Sequence, residues 1–236
     1  TDLPVSKLCI FDDARDIIPY PYILSNKLPG ESGRVFFEGT DPAGRGHLSE
    51  ALGQIIGTIH TQKNVETDRL RSDLFSLNRW REIVEQTLLK DDIFAEEINA
   101  VSSDFYPKLK NLLASVSPPQ IEEDPVLLWN DPVFHNLLVT GERGKIKVSG
   151  IYDFESASYG NRLFDFRKAE GDFGRRSPPG VYGNPKYVEM LYKGYEAAGA
   201  KIADADELNE TLQDIIHWAR GVRWWWDNLD ILHRNT

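Results

Sequence analysis

The sequence predicts an α+β fold in which a mainly helical body carries an inserted β-hairpin. One observation is the segment Leu127–Val139, where an apolar run, a polar interruption and a second apolar run are typical of strands that bound a loop. The other is a set of longer stretches whose apolar residues recur every three or four positions, as on the buried face of a helix. With 41% hydrophobic and 27% charged residues, the 236-residue chain has the composition of a globular protein.

The chain begins with two predicted strands. Val5–Phe11 is largely apolar and ends at Asp12-Asp13, and Tyr20–Leu24 is followed by a turn at Pro29-Gly30. Cys9 lies in the first apolar run and is the single cysteine of the chain. We therefore expect Cys9 to be a small buried side chain without an internal disulfide.

Helices are predicted from Gly46 onward. The first ends at His60, a helix-end histidine that we expect to bond the last backbone carbonyls, and its apolar positions are Leu48, Ala51, Leu52, Ile55, Ile56 and Ile59. Four further helices are marked by apolar residues within 77–88, 94–116, 187–198 and 208–229. Before the predicted helix within 187–198, Lys168–Val181 is rich in glycine, arginine and proline and is predicted to be a loop.

The predicted hairpin consists of Leu137–Thr140, a turn at Gly141–Gly144, and Lys145–Ser149. Such a hairpin folds Asn136 back towards the segment that carries Asp153. We therefore expect polar groups that are distant along the chain to meet at one end of a small sheet.

The polar residues at this end of the sheet, Asp131, Asn136 and Asp153, suit phosphoryl transfer. In that reaction one carboxylate faces the incoming hydroxyl, while a second carboxylate and a carbonyl oxygen hold the Mg²⁺ ions that neutralise the phosphates. Asp131 is placed for the first task, and Asn136 and Asp153 are placed for the second. An Asp five residues before an Asn also occurs by chance, and Asn-Asp-Pro is an ordinary turn sequence, so the interpretation depends on the order of all the motifs.

Three segments carry a resemblance to a known family: Leu128–Val139, Ile151–Glu155 and Gly160–Phe166. They look like the core of the aminoglycoside phosphotransferase family, which consists of small-molecule kinases with a protein-kinase-like fold. The family usually reads His-Gly-Asp, four residues and Asn, then Ile-Asp-Phe/Trp-Glu/Asp, and then Gly-Asp-Pro with a later Asp-Leu.

This resemblance implies a role for each of the matching polar residues. Asp131 would be the catalytic base, Asn136 and Asp153 would be the Mg²⁺ ligands, and Asp165 would be a structural brace. The chain departs from the family pattern directly before Asp131, where Trp129-Asn130 replaces the usual His-Gly and removes an imidazole hydrogen bond.

The resemblance does not extend to most of an N-terminal lobe. A kinase of this class needs a glycine-rich loop over the phosphates and a strand lysine that pairs with them. Upstream of Tyr20 there is no glycine, and Lys7 lies in what should be a later strand. We therefore expect residues 1–30 to be the last strands and hinge of a lobe that is largely absent, and residues 31–236 to be the helical C-terminal lobe. Because the chain starts at Thr1 and its single methionine is Met190, we also expect it not to be a complete translation product.

Candidates for nucleotide and substrate binding follow from the same resemblance. Asn26 and Leu28, in the predicted hinge, would meet the base of ATP or GTP through their backbone, although a strand and turn also explain these residues. Asp227 and Asp230, on the last predicted helix, are candidates for binding ammonium groups of a substrate. A buried aromatic cluster with a solvated acidic edge explains that pair as well.

The net charge of the chain excludes some classes of binding partner. A formal charge of −10 argues against nucleic acid and anionic membranes. It suits a cationic substrate, and it equally serves to keep the surface soluble. No apolar stretch is long enough to span a membrane and no signal peptide opens the chain, so we expect a cytoplasmic protein.

Three hypotheses for function follow. The first is a kinase that uses Mg²⁺ and ATP or GTP to phosphorylate a hydroxyl group of a small molecule. The alternative is a catalytically silent, kinase-like module that binds nucleotide. The third is a helical scaffold without a nucleotide site.

Overall fold

The computed structural model describes residues 3–62, 79–88, 103–104, 107–108, 110–111, 114, 125–141, 145–173, 185–201, 215 and 219. Within these residues the fold is α+β, as predicted. The apolar positions of the predicted helix within 94–116 lie outside the described residues, and of the predicted helix 208–229 only Ile215 and Ala219 are described, both as helical. The expected division of the chain at residue 30 stays a prediction.

The strands form three small antiparallel sheets. In chain order they are β1 (Leu8–Asp12), β2 (Tyr22–Ser25), β3 (Glu31–Ser32), β4 (Val126–Leu128), β5 (Leu137–Thr140), β6 (Lys147–Ile151) and β7 (Ser158–Gly160). Strand β1 pairs with β2, β5 lies between β3 and β6, and β4 pairs with β7. The predicted hairpin is therefore present as β5 and β6, with Leu137 opposite Ile151.

The described helices are α1 (Gly33–Gly39), α2 (Pro42–His60), α3 (Trp80–Leu88), α4 (Leu163–Phe173) and α5 (Pro185–Ala197). Helix α2 begins earlier than the apolar pattern indicated, because Asp41 caps it: the carboxylate accepts a hydrogen bond of 2.9 Å from the Gly44 amide, and Pro42 occupies the first turn. In the described residues no helix is both long enough and apolar enough to cross a membrane.

Two sequence-based predictions about local structure were wrong. The segment predicted to be a loop from Lys168 is helical up to Phe173, because the Asp172 side chain in its last turn bonds to the backbone of Phe134. Cys9 is exposed rather than buried. It lies in the two-stranded sheet β1–β2, where neighbouring apolar side chains such as Leu8 and Phe11 are also exposed.

The core lies between α2, α5 and the sheet of β3, β5 and β6. Its largest buried side chains come from the helices and from the loop before β5; they include Phe37, Leu48, Leu52, Ile56, Ile59, Trp129, Phe134, Phe166 and Tyr195. Phe37 stacks on Phe134 with 4.3 Å between ring centroids, which attaches α1 to that loop. The loop is thus fixed to the helical body by apolar packing as well as by polar contacts.

Helices α2 and α5 approach each other closely because each presents a glycine to the other. A Cβ atom added at Gly53 would lie 1.9 Å from the carbonyl oxygen of Leu191, and one added at Gly194 would lie 1.9 Å from the carbonyl oxygen of Glu50. Both obstacles are backbone atoms, so the two helices would have to separate to admit a side chain. This close contact sets the position of His60, at the end of α2, relative to Tyr195 on α5.

Gly53→Ala should therefore lower the free energy of unfolding by about 2–3 kcal/mol, because the added methyl group overlaps the α5 backbone. Urea denaturation followed by circular dichroism measures the change. Gly46→Ala in the same helix is the matched control: its Cβ would meet only the Met190 side chain at 3.9 Å, so we expect no loss, or a gain of up to about 1 kcal/mol from helix propensity. Equal destabilisation by both variants would contradict the close contact.

Candidate active site

Asp165, near the start of α4, is the centre of the site. Its carboxylate is fully buried and accepts hydrogen bonds from the backbone amides of Trp129 at 2.9 Å and Asn130 at 2.7 Å. His60 Nε2 lies 3.0 Å from Asp165 Oδ2. A buried carboxylate is tolerable when it is hydrogen-bonded in this way, and in return it fixes the backbone directly before Asp131.

His60 has a different role from the carbonyl cap that the sequence indicated. Its ring is buried between two side chains, with Nδ1 3.0 Å from the Tyr195 hydroxyl and Nε2 bonded to Asp165. Burial raises the pKa of Tyr195 to about 12, with the charge of Asp165 acting in the same direction and Arg162 acting against it. The Tyr195 phenol therefore keeps its proton at neutral pH. Because a carboxylate only accepts hydrogen bonds, the Nε2–H of His60 is the donor to Asp165.

Trp129 connects the segment before Asp131 to the segment that carries Asp153. Its indole N–H lies 3.1 Å from the carbonyl oxygen of Tyr152 and 2.9 Å from that of Asp153, and its ring stacks on Phe154 at 5.3 Å. Trp129 stands where the family usually has His. The imidazole N–H is lost at this position, and the indole N–H of Trp129 is present as a donor instead. The two segments are joined by a buried side chain with a single well-defined donor.

Asn130 occupies a backbone conformation that favours glycine. Its φ is +67°, in the left-handed region, and asparagine is among the few other residues that adopt this region readily. Its side-chain amide donates to the carbonyl oxygen of Ser156 at 2.6 Å and to the hydroxyl of Ser158 at 2.7 Å. Asn130 thus meets the conformational requirement and adds two contacts with the chain around β7.

The structure brings Asp131 and Asn136 into direct contact. The Asn136 amide nitrogen donates to Asp131 Oδ2 at 2.7 Å and to the Asp131 carbonyl oxygen at 3.0 Å. The Tyr152 amide donates to the Asn136 carbonyl oxygen at 3.2 Å, which places Asp153 one residue away from this contact. Asp153 is exposed and has a φ of +66°, so the backbone turns sharply at the predicted metal ligand.

Helix α4 supplies two further residues that the sequence analysis missed. Lys168 Nζ lies 3.0 Å from Asp131 Oδ1, and Asp172 Oδ2 accepts a hydrogen bond of 2.8 Å from the Phe134 amide. Asp165, Lys168 and Asp172 are spaced by three and four residues, which places them on one face of a helix. That spacing was the available signal, and predicting a loop from Lys168 onward concealed it.

Of the residues predicted to bind nucleotide or substrate, the structure describes Asn26 and Leu28. The backbone N–H of Asn26 donates to the Lys7 carbonyl oxygen at 3.1 Å, and the backbone carbonyl oxygen of Asn26 accepts from the Ser6 hydroxyl at 2.6 Å. Leu28 is half-buried over β6, where the missing side chain of Gly150 makes room for it. Roles for Asn26 and Leu28 in nucleotide binding stay predictions. Asp227 and Asp230 lie outside the described residues.

A helical body carries the β5–β6 hairpin, with Asp131 and Asn136 before β5 and Asp153 after β6. This arrangement is a protein-kinase-like fold. The profile described as "Phosphotransferase enzyme family" matches residues 1–210. The chain therefore belongs to that family, as its resemblance to the aminoglycoside phosphotransferases indicated. No curated protein gives a significant match to the chain.

Several solved structures have a similar fold. An aminoglycoside-3′-phosphotransferase of type VIII has a TM-score of 0.55 at 14% identity, and the match covers 91% of this chain and 74% of that one. A choline/ethanolamine kinase family protein from Mesorhizobium loti has a TM-score of 0.53 at 15% identity, covering 95% and 66%. The GDP complex of an aminoglycoside 2′-phosphotransferase-IIIa mutant has a TM-score of 0.52 at 13% identity, covering 100% and 78%. At these identities the likeness shows the fold, and the chain spans 66–78% of the length of these proteins.

Asp165→Asn should destabilise the protein by about 2–4 kcal/mol, because an amide has a single acceptor oxygen and turns its NH₂ group towards an N–H donor. Urea unfolding measures the loss. Asp172→Asn is the matched control on the same helix: it keeps the oxygen that receives the Phe134 amide, so we expect a loss of at most about 1 kcal/mol. Similar effects of the two variants would contradict a central role for Asp165.

The raised pKa of Tyr195 predicts how stability depends on pH. The folded-state pKa of about 12 exceeds the ordinary value of 10.0, so this contribution is complete below about pH 10 and is lost as the pH rises towards 12. The wild-type protein should therefore lose stability relative to Tyr195→Phe between pH 10 and pH 12, because the phenylalanine variant has no proton to lose at this position. Urea unfolding at several pH values measures it, and a constant difference would contradict the prediction.

Proposed function

We propose that the protein is a kinase that transfers the γ-phosphoryl group of a nucleoside triphosphate to a hydroxyl group of a small molecule. The observation that carries the proposal is the contact between Asp131 and Asn136, at 2.7 Å, beside the segment that holds Asp153. Family membership supports phosphotransfer in general. The nucleotide is ATP or GTP. One protein of similar fold was solved as a GDP complex, so the test includes both nucleotides.

The donor set fits Mg²⁺. The Asn136 amide nitrogen points at Asp131, so the carbonyl oxygen of the same buried amide is directed away from Asp131 and would be the ligand. Asp153 adds an exposed carboxylate. Among the described residues no group of three or more His, Cys, Asp and Glu side chains could hold a metal ion. Two protein oxygens, such as those of Asn136 and Asp153, are enough for Mg²⁺, which completes its shell with phosphate and water.

Bound Mg²⁺ would neutralise the phosphate charge, and the residues of this chain would position the reaction. Asp131 orients the acceptor hydroxyl through a hydrogen bond. The hydroxyl oxygen forms a bond to the γ-phosphorus, the bond from that phosphorus to the bridging oxygen breaks, and the nucleoside diphosphate leaves with the electron pair. Because a carboxylate is a weak base for an alcohol, Asp131 receives the hydroxyl proton late in the transfer.

Asp131→Asn should lower kcat by a factor of about 10² or more, with nucleotide affinity changed by no more than about twofold, since the amide cannot accept the hydroxyl proton. Asp153→Ala should also weaken Mg²⁺-dependent nucleotide binding. The assay measures nucleoside diphosphate release from ATP and from GTP over a panel of hydroxyl acceptors, and calorimetry measures nucleotide binding. Glu85→Gln, an exposed carboxylate on α3, is the control and should behave as wild type.

The test uses the whole protein. Normal turnover in both Asp131→Asn and Asp153→Ala would contradict the assignment. Nucleotide binding without transfer to any acceptor would indicate the silent kinase-like module instead. Absence of nucleotide binding would indicate a scaffold.

A further inference from the structure

Helix α4 contacts the segment 129–134 with three charged side chains that do different things. Asp165 and Asp172 both bond to backbone amides, and so they hold the path of the chain. Lys168, on the same face of the helix, bonds instead to the carboxylate of Asp131 at 3.0 Å. Because the two aspartates already attach α4 to this segment, Lys168 is not needed to hold the backbone.

Both carboxylate oxygens of Asp131 are held by different groups. Oδ1 faces the Lys168 ammonium, and Oδ2 accepts from the Asn136 amide at 2.7 Å. The terminal torsion of an aspartate side chain is broad when nothing restrains it. With a donor on each oxygen, the plane of the Asp131 carboxylate has one defined orientation.

This arrangement leaves room for an acceptor hydroxyl. A carboxylate oxygen has two acceptor positions, so the contacts with Lys168 and Asn136 do not saturate Asp131. The side chain of Asp131 is 25% exposed and that of Lys168 is 40% exposed, so the pair is open to solvent on one side. A hydroxyl that approaches from that side meets a carboxylate whose direction is already set.

We propose that Lys168 is a positioning residue, which orients the Asp131 carboxylate for the acceptor hydroxyl. The proposal rests on the function proposed above. A half-exposed ion pair adds little to stability, so the principal effect of Lys168 is on turnover rather than on folding. The expected consequence is a change in kcat that a general structural defect would not reproduce.

Lys168→Met, which keeps the length of the side chain and removes the ammonium, tests the proposal in the whole protein. We expect kcat to fall by about 10- to 100-fold, because a misdirected carboxylate loses the alignment of the hydroxyl. The KM for nucleotide should stay within about twofold and Tm should change little. Lys168→Arg, which restores a cation, should recover most of the lost turnover.

Lys193→Met is the matched control. Lys193 Nζ lies 3.0 Å from Glu50 Oε1, the same separation as in the Lys168–Asp131 pair, but that pair joins α5 to α2 and includes no proposed active-site residue. The kcat of Lys193→Met should equal that of the wild-type protein. If Lys168→Met keeps wild-type kcat, or if Lys168→Arg is no better than Lys168→Met, the positioning role is overturned while the proposed function stands.

A second measurement asks whether Lys168 acts through Asp131. The kcat values of Lys168→Met, Asp131→Asn and the double variant form a cycle, and a positioning role predicts that removing Lys168 costs little further turnover once Asp131 has been replaced. Equal fold losses of kcat on removing Lys168 in the wild-type and Asp131→Asn backgrounds would overturn the proposal. If the wild-type protein phosphorylates no acceptor, the proposed function itself fails, which distinguishes that outcome from a failure of the positioning role alone.

Discussion

The arrangement of the site depends on one buried carboxylate. Asp165 cannot be buried without donors, and it receives two backbone amides of the segment before Asp131 together with the ring of His60. Each of these hydrogen-bond donors fixes a different part of the structure. The amides turn the chain into the left-handed conformation at Asn130, and the histidine ties the ends of α2 and α5 to the start of α4. A charge in the core thus determines the geometry of a loop that is itself partly exposed.

The two halves of the candidate site are joined independently of Asp165. The indole of Trp129 bonds to the carbonyl oxygens at 152 and 153, and the Tyr152 amide bonds back to Asn136. Apolar packing of Phe134 on Phe37 anchors the same loop to α1. Groups held from several directions undergo little reorganisation during a reaction, which is the condition under which fixed charges stabilise a transition state. The helical body therefore serves the proposed chemistry by restricting motion.

Much of this could be predicted from the sequence, because the relevant signals are local. The periodic apolar residues of α2 and α5, the hairpin of β5 and β6, and the order of Asp131, Asn136 and Asp153 are all visible in short stretches. The parts that could not be predicted depend on tertiary contacts. The bond from His60 to Asp165 joins residues 105 positions apart, and nothing near His60 indicates it. The α4 helix continues past Gly171 to Phe173, and the Asp172 carboxylate in this last turn bonds to the Phe134 amide, a contact with a distant segment that offsets the weak helical propensity of the stretch.

The pair Trp129-Asn130 bears on how membership of this class is recognised. At the first position the fold uses a ring N–H aimed at the turn around Asp153, and at the second it uses a residue that tolerates a positive φ. Histidine and glycine meet these two requirements, and so do tryptophan and asparagine. A search string written as fixed letters would discard this chain, whereas a rule written as a donor followed by a left-handed residue would retain it. Divergent sequences of this class are better sorted by such physical requirements than by residue identity.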